Sequence, residues 1–381
     1  MAATPGKILF ISTMNGDPWG GSEEFWFYIA VWMAQNGYNV DCMVFDWPEG
    51  KQEKISLMQK AGCQVHLLAN PKFAKNFFHK EQLKVKAQKQ LVKTASQSFD
   101  LICISQGGFE DITHSPFKNL LPFIKKFVLV YHNYNDKAKL SSSRKRSLRK
   151  WTDAALQNMG DSGRIFSSLK KVTGFDIPKQ FVIKNPLTIP LKDTPAQWPA
   201  VNENGNFMWV VMAQLDIARK AQDVLIKTLA TEKWKARNWQ LFLYGDGADK
   251  QLLADLISTL GMGEKILLMG HTKNVSAVLE KAHLLLQVTH IDAMPLSVTE
   301  AMNMGRPCVV SNVGDMPDWI QDGVNGYISP AVSEAVMDAK LEQVWNDREN
   351  WQQRGEAAFT SFRQNYPVPY ESWYADFMLN L

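Results

Sequence analysis

The chain has 381 residues, 45% hydrophobic and 21% charged, with a net charge of +4. These values fit a globular protein of two or three domains, and no apolar run approaches the roughly 18 residues that span a bilayer as a helix. The balance hides an asymmetry: residues 1–190 carry 26 Lys and Arg against 15 Asp and Glu, an excess of 11, whereas the remainder carries 16 against 23, a deficit of 7. A basic half beside an acidic half suggests that the first faces something anionic.

The opening KILFIS run lacks the basic start of a signal peptide and reads as a first strand. Cys42, Cys63, Cys103 and Cys308 lie in or beside apolar runs and form no C-x-x-C pair. They read as reduced, buried cysteines of a cytosolic protein. In the first half, Lys7–Ser12, 40–45, Gln64–Leu68, 101–105, Phe127–Tyr131, 154–158 and 181–183 read as strands separated by helical patterns. That alternation predicts an α/β fold with a parallel sheet covered on both faces.

After the first strand comes NGDPWGGSEEFWFYIAVWMAQNG. Gly20 and Gly21 permit unusual dihedrals and a close backbone approach, as a plain turn or as a ligand loop. Ser22 is the expected N-cap, Glu23 and Glu24 suit the positive helix end, and Gly37 closes a helix apolar on most sides. Trp19 either stacks on a sugar ring or packs at the loop base. Lysines 72, 75, 80, 84, 86, 89 and 93 are interleaved with Phe73, Phe77, Phe78, Leu83 and Val85, and a second basic run covers residues 137–150. Two readings stand: a solvated helix face, or peripheral contact with anionic lipid headgroups or a lipid-linked diphosphate. No nucleic-acid motif accompanies the charge, so nucleic acid is not expected. His132 follows the run FVLVY, with Asn133 and Asn135 beside it, and either caps a loop or faces a ligand.

Residues 185–206 are rich in Pro and Asn and form the best linker candidate. The α/β rhythm then restarts, with strands expected at Phe207–Met212, Trp239–Tyr244, 265–269, 283–288, 307–311 and 327–328, and a final aromatic helix over 370–381. Arg219 and Lys220 are expected just before a helix, where they oppose its dipole unless an anion sits there. Gly245 lies in a Gly-x-Gly after a strand, a weak signal by itself. The most informative stretch is HIDAMPLSVTEAMNMGRPCVV, residues 290–310. Pro295 starts a helix, Gly305 is a good C′ residue, and Asp292 and Glu300 lie 8 apart, so both can face one crevice at the carboxyl end of a strand. The N–H groups near Leu296, Ser297 and Val298 suit a phosphate.

This stretch resembles the acid-x7-acid segment of the retaining nucleotide-sugar glycosyltransferases of family 4, strongly over 207–328 and more weakly before. Cyanobacterial-type exopolysaccharide glucosyltransferases, including those of the heterocyst envelope, look similar. The resemblance implies a GT-B fold: two Rossmann-like, doubly wound parallel-sheet domains facing a cleft. It implies an acceptor-side domain over 1–189, a nucleotide-sugar domain over 190–365, and a helix over 366–381 that crosses back to the first domain. Lys220 matches the lysine that holds the donor diphosphate. Gly20 and Gly21 match a loop beneath the diphosphate, and His132 a histidine that contacts the donor sugar. Asp292 falls where the family usually has Glu, and would hold the sugar's hydroxyls or offset its developing charge. Glu300 would accept from the ribose hydroxyls, and Gly270 and His271 match a segment that reads the base. Two departures stand out: Gln214 replaces a phosphate-binding arginine, so that either Arg219 compensates or phosphate binding is weaker, and Ala221 replaces a glycine.

The implied protein is a retaining, cytoplasmic or membrane-peripheral transferase that uses a nucleotide-diphosphate sugar, with UDP-glucose expected first, and a glycan or lipid-linked saccharide acceptor. No D-x-D occurs and no His/Cys cluster has metal spacing, so no metal or other cofactor is expected. The alternatives are a non-catalytic relative that binds nucleotide-sugar or glycan, which the Gln214 and Asp292 departures leave open, and a GT-B nucleotide-sugar 2-epimerase, whose second-domain pattern differs.

Overall fold

The computed structural model describes residues 6–16, 18–48, 52–132, 138–292 and 294–381, so Asn133, Asn135 and Lys137 lie outside the described residues. The chain divides into two compact units: Met1–Pro186 with Pro367–Leu381, and Leu187–Tyr366.

The first unit is built on seven parallel strands: β1 (Lys7–Ser12), β2 (Asn39–Phe45), β3 (Gln64–Leu68), β4 (Leu101–Gln106), β5 (Phe127–Tyr131), β6 (Gln157–Gly160) and β7 (Gln180–Val182). Their order is β3-β2-β1-β4-β5-β6-β7. The central strands are apolar without alternation and buried along their length, because helices cover both faces. The second unit repeats the plan with six: β8 (Phe207–Met212), β9 (Trp239–Tyr244), β10 (Ile266–Gly270), β11 (Leu284–Gln287), β12 (Cys308–Ser311) and β13 (Gly326–Ser329), in the order β10-β9-β8-β11-β12-β13. Both units are therefore doubly wound, Rossmann-like sheets. In each, the order reverses beside the first strand, and the loops at the carboxyl ends there flank a crevice.

Most expected strands fall within two residues of their observed ends. The exception is 154–158. Helix Ser142–Ala154 buries Leu148, Trp151 and Thr152, so helical packing claims Ala154, and the strand begins at Gln157. Helix Gly21–Gln35 is buried on Phe25, Trp26, Ile29, Ala30 and Met33. In the same unit, Phe25 meets Tyr374 of helix Tyr370–Leu379 edge to face at 5.3 Å. The Tyr374 hydroxyl accepts from the Lys184 N–H at 2.5 Å, and the Tyr370 hydroxyl donates to the Lys184 carbonyl at 3.1 Å. The core of the second unit gathers tryptophans: Trp209 stacks on Trp239 at 5.2 Å, and Trp234 and Trp351 close around them. Truncating one such side chain to alanine costs about 3–5 kcal/mol. Among the described residues no helix is long and apolar enough to cross a membrane.

Candidate active site

In the second unit, the loops after β8 and β9 are laced together. Leu215 N–H donates to the Asp246 carbonyl (3.0 Å), Asp249 N–H to the Leu215 carbonyl (3.2 Å), and Ile217 N–H to Asp249 Oδ2 (2.8 Å). This lacing brings backbones into contact, which explains the glycines. A Cβ on Gly245, whose φ is +147°, would lie 1.9 Å from the Ala213 carbonyl oxygen, and one on Gly247 would lie 2.2 Å from that of Leu215. Gly245 N–H also donates to the Gly270 carbonyl at 2.9 Å, and exposed His271 follows.

Arg219 and Lys220 stand just before a helix, as expected, but they belong to the turn that precedes it. They end a single turn, Ile217–Lys220, and the next helix, Gln222–Leu229, starts after Ala221, which adopts the left-handed conformation (φ +48°). The turn stops because the Arg219 carbonyl is taken by the loop after β11: it accepts from Thr289 Oγ1 (2.6 Å), His290 N–H (2.8 Å) and Ile291 N–H (3.3 Å). At the carboxyl end of a turn the two cations agree with the local dipole rather than opposing it. Asp216 caps the turn, and its carboxylate accepts from Arg219 Nε at 2.7 Å, which holds its pKa below the ordinary value. Arg219 Nη2 donates to Gln214 Oε1 at 2.6 Å. Gln214, the residue that replaces the family's arginine, thus positions Arg219.

The same lacing carries Asp292 onto Lys220. Lys220 Nζ lies 2.5 Å from Asp292 Oδ2, and both side chains are largely buried. The anion that two adjacent cations call for is therefore an internal carboxylate here. Gln287, the last residue of β11, donates to Asp292 Oδ2 (3.3 Å) and accepts from Ser297 Oγ (3.3 Å), tying the loop to the helix behind it. That helix runs Leu296–Asn303 with Pro295 as N-cap. A proline side chain has no acceptor, so the positive helix end carries no side-chain cap; Val298 N–H folds back onto the Pro295 carbonyl (3.1 Å), which corrects its place among the outward-pointing donors. The far end is a Schellman closure: Gly305 (φ +70°) donates to the Met302 carbonyl and Arg306 N–H to that of Ala301.

Glu300, Asn303 and Arg306 recur every third residue along this helix and its exit, and all three grip the segment that enters the unit. Glu300 Oε1 accepts from Thr188 N–H (3.0 Å) and Thr188 Oγ1 (2.5 Å). Asn303 accepts from Lys192 N–H and donates to the Pro190 carbonyl. The Arg306 guanidinium donates to the carbonyls of Ala196 and Gln197. Burial pushes the Glu300 carboxyl above its ordinary pKa, and the Thr188 bonds pull the other way.

In the first unit, Gly20 is extended (φ −150°, ψ −174°) and Gly21 begins the helix, so neither supplies the unusual dihedral expected of it. A Cβ on Gly21 would meet nothing within 4 Å; the double glycine leaves room rather than making a strained turn. The N-cap is Gly20, not Ser22. Glu23, at the third helical position, reaches back to the Gly20 N–H (3.0 Å) and so displaces the serine from that role. Glu23 is buried and also accepts from Ser12 Oγ (2.5 Å) and Ser22 Oγ (2.8 Å); burial raises its pKa. Trp19 packs edge-on to Phe27 at 5.7 Å and donates to Glu24, so its place is at the loop base. His132 Nε2 lies 3.1 Å from Ser105 Oγ, whose hydroxyl donates to the Ser22 carbonyl (2.9 Å), and Nδ1 lies 3.4 Å from Asp161 Oδ2. A serine hydroxyl has one proton, so His132 Nε2 is the donor in that contact.

Among the expected residues, the structure thus joins Arg219, Lys220, Asp292 and Ser297 into one connected group, with Gly20 and Gly21 linked to His132 through Ser22 and Ser105 in the other unit. Glu300 is held apart from that group by Thr188. Sequence reasoning missed Gln287, Thr188, Ser105 and Asp161. A polar residue closing the apolar run HLLLQ was the available signal for Gln287; the others carry none.

Residues 197–360 match the family model described as Glycosyl transferases group 1, and the second unit carries a domain of that family. The N-acetyl-alpha-D-glucosaminyl L-malate synthase of Bacillus anthracis is 30% identical over 142 residues, covering 36% of this chain and 37% of that protein. The poly(ribitol-phosphate) alpha-N-acetylglucosaminyltransferase of Staphylococcus aureus is 24% identical over 289 residues, covering 74% of this chain and 55% of that protein. The chain therefore spans about a third to a half of the length of these relatives. Among solved structures, Anabaena Alr3699/HepE in complex with UDP aligns with a TM-score of 0.76 at 18% identity, covering 98% of this chain and 100% of that one. That likeness establishes the fold, which is GT-B.

Proposed function

We propose that this protein is a retaining glycosyltransferase that moves glucose from UDP-glucose to a glycan or lipid-linked saccharide in polysaccharide biosynthesis, without a metal ion. The observation that carries this reading is the Lys220–Asp292 pair beside the uncapped helix end at Leu296, at the reversal of the second sheet. The family match and the relatives named as sugar transferases support it, as does a fold neighbour crystallised with UDP.

Breaking the glycosyl–phosphate bond puts positive charge on the sugar and negative charge on the departing diphosphate. Lys220, Arg219 and the N–H groups at Leu296 and Ser297 receive that negative charge, already oriented; losing one such donor typically costs about 3–4 kcal/mol. Asp292 releases Lys220 to the phosphate and turns to the sugar's hydroxyls or its developing positive charge. Glu300 takes the ribose hydroxyls, and Gly270 and His271 border the base. His132, held by Ser105 and with Asp161 3.4 Å from its Nδ1, serves the donor sugar. The acceptor oxygen bonds to the anomeric carbon on the face the diphosphate leaves, and its proton passes to the leaving phosphate oxygen.

The test is nucleotide release from UDP-, GDP- and ADP-sugars in EDTA, with and without a membrane extract as acceptor source. Release from UDP-glucose in EDTA is expected. Release that returns only on adding metal ions removes the metal-free mechanism, and UDP binding without release from any donor favours a non-catalytic sugar-nucleotide binder.

A further inference from the structure

The basic, aromatic stretch of the first unit is absorbed by neither the fold nor the proposed chemistry. It forms helix Phe77–Ala95, capped by Asn76, whose side chain accepts from His79 N–H. Two features fix its rotation. Ala87, Leu91, Thr94 and Ala95 are buried, and Gln90 hydrogen-bonds both Leu67 O (3.2 Å) and Ala69 N–H (3.0 Å) at edge strand β3. The opposite side of the helix is therefore committed to the outside. There stand Phe78, Val85, Lys86, Lys89 and Lys93, at helical spacings of 7, 8, 11 and 15 from Phe78, a ridge about 22 Å long. Phe78 is 78% exposed, its neighbour Phe77 71% and Val85 52%. Such exposure is unusual for phenylalanine, and twice in succession at one helix end it marks a surface that expects cover. Of the six Lys, Asp and Glu residues on the helix, five are lysines; the one acid, Glu81, pairs with Lys84 at 2.6 Å and leaves the ridge uniformly positive.

We infer that this ridge docks the protein on an anionic lipid surface, with Phe77 and Phe78 entering the headgroup boundary and Lys86, Lys89 and Lys93 lying over the charged headgroups. Charge decides among occupants. A second copy of the chain meeting this ridge through the same helix would bring the same lysines against these and be repelled. A soluble polyanion would satisfy the lysines and leave both phenylalanines in water. An anionic bilayer surface takes both groups at once: apolar side chains gain area removed from water, and each lysine near such a surface contributes about 1 kcal/mol.

The experiment is flotation of the full chain with vesicles of phosphatidylcholine, with and without phosphatidylglycerol, over a range of salt. Binding to the anionic vesicles, weakening with salt, is expected. K86Q/K89Q should lower the partition coefficient by about 30-fold, the product of two charges at about 1 kcal/mol each. F77S/F78S should lower it by on the order of tenfold or more. These side chains are exposed, so the melting temperatures should stay near that of the parent. K145Q/R146Q, on helix Ser142–Ala154, should bind within about threefold of the parent, which separates this ridge from general basicity. Equal binding to neutral and anionic vesicles, or none to either, overturns the inference. So does an unchanged F77S/F78S variant displaced by inorganic polyphosphate, which would make the ridge a polyanion site, or a loss confined to K145Q/R146Q.

Discussion

Lys220 and Asp292, 72 residues apart in the chain, form an ion pair with Nζ 2.5 Å from Oδ2. The pair exists because the Arg219 carbonyl accepts the loop that carries Asp292. A diphosphate entering this corner competes with Asp292 for the same ammonium. K220A should therefore weaken UDP binding by about 10- to 100-fold, the range for one charge-assisted contact, and leave Asp292 facing the phosphate. D292N should hold or tighten UDP binding while transfer falls. The double variant K220A/D292N should bind UDP better than K220A alone, because the stranded carboxylate is gone. Calorimetric titration with UDP reads all three; unchanged affinity in K220A removes Lys220 from the site.

Gln287 joins Asp292 to Ser297 across the strand end. Q287L keeps the volume and removes both bonds, so Asp292 and the start of the helix lose their common support. The expected result is a kcat lower by about tenfold with UDP affinity within about threefold, since Lys220 is untouched, and a stability loss of about 1–3 kcal/mol. A parallel fall in kcat and UDP affinity would show that Gln287 supports the whole corner rather than Asp292.

The fold was legible because both halves write apolar runs and turn residues at a regular α/β rhythm, and twelve of the thirteen strands start within one residue of the expected position. The acid-rich stretch was legible because Pro295, Gly305 and two carboxylates each have a local reason to stand where they do. What stayed hidden depends on contacts between distant segments. Nothing near Lys220 announces that Asp292 neutralises it, and Glu23 reads as a dipole partner although burial and three donors give it a structural task. Ala221 departs from the glycine of the resembled family, and its left-handed φ of +48° shows why glycine is natural there.

Thr188 holds Glu300 through both its N–H and its hydroxyl. T188V keeps the first bond and loses the second. Burial already raises the Glu300 pKa, and the hydroxyl bond opposes that rise, so T188V should raise it further. In the proposed function Glu300 accepts ribose hydroxyls as a carboxylate, and on that reading activity falls as pH drops through its folded pKa. The acid limb of kcat/KM for the donor should move to higher pH in T188V, return in T188S, and vanish in E300Q. An acid limb that stays in place across the three variants assigns it to another group.

Gly245 tests the lacing of the loops after β8 and β9. Alanine there must displace the Ala213 carbonyl, which its Cβ would approach to 1.9 Å, and hold a φ of +147° that alanine rarely adopts. G245A should lose about 2–5 kcal/mol of stability. G263A, at a glycine whose Cβ would meet nothing within 4 Å, serves as the control and should change little. Equal melting temperatures for the two variants would mean that the loops part easily, and that Gly245 stands there for a ligand.

His283 couples the stability of the second unit to pH. It is buried, its Nδ1 accepts from Met208 N–H at 3.0 Å, and its ring meets Phe207 edge-on at 5.1 Å. That bond requires an unprotonated Nδ1, and burial pushes the pKa from 6.5 down to about 4. The sign follows from proton counting. Between pH 6.5 and about 4 the unfolded chain takes up a proton that the folded chain refuses, so acid favours unfolding over that window, and the loss levels off below pH 4. The shift corresponds to about 3 kcal/mol. H283N offers an amide oxygen to Met208 N–H and does not titrate, so it should lower stability at pH 7 yet flatten its fall between pH 6.5 and 4 by about that amount. Urea unfolding of both proteins across this range reads the difference; parallel slopes would show that His283 charges in place without opening the core.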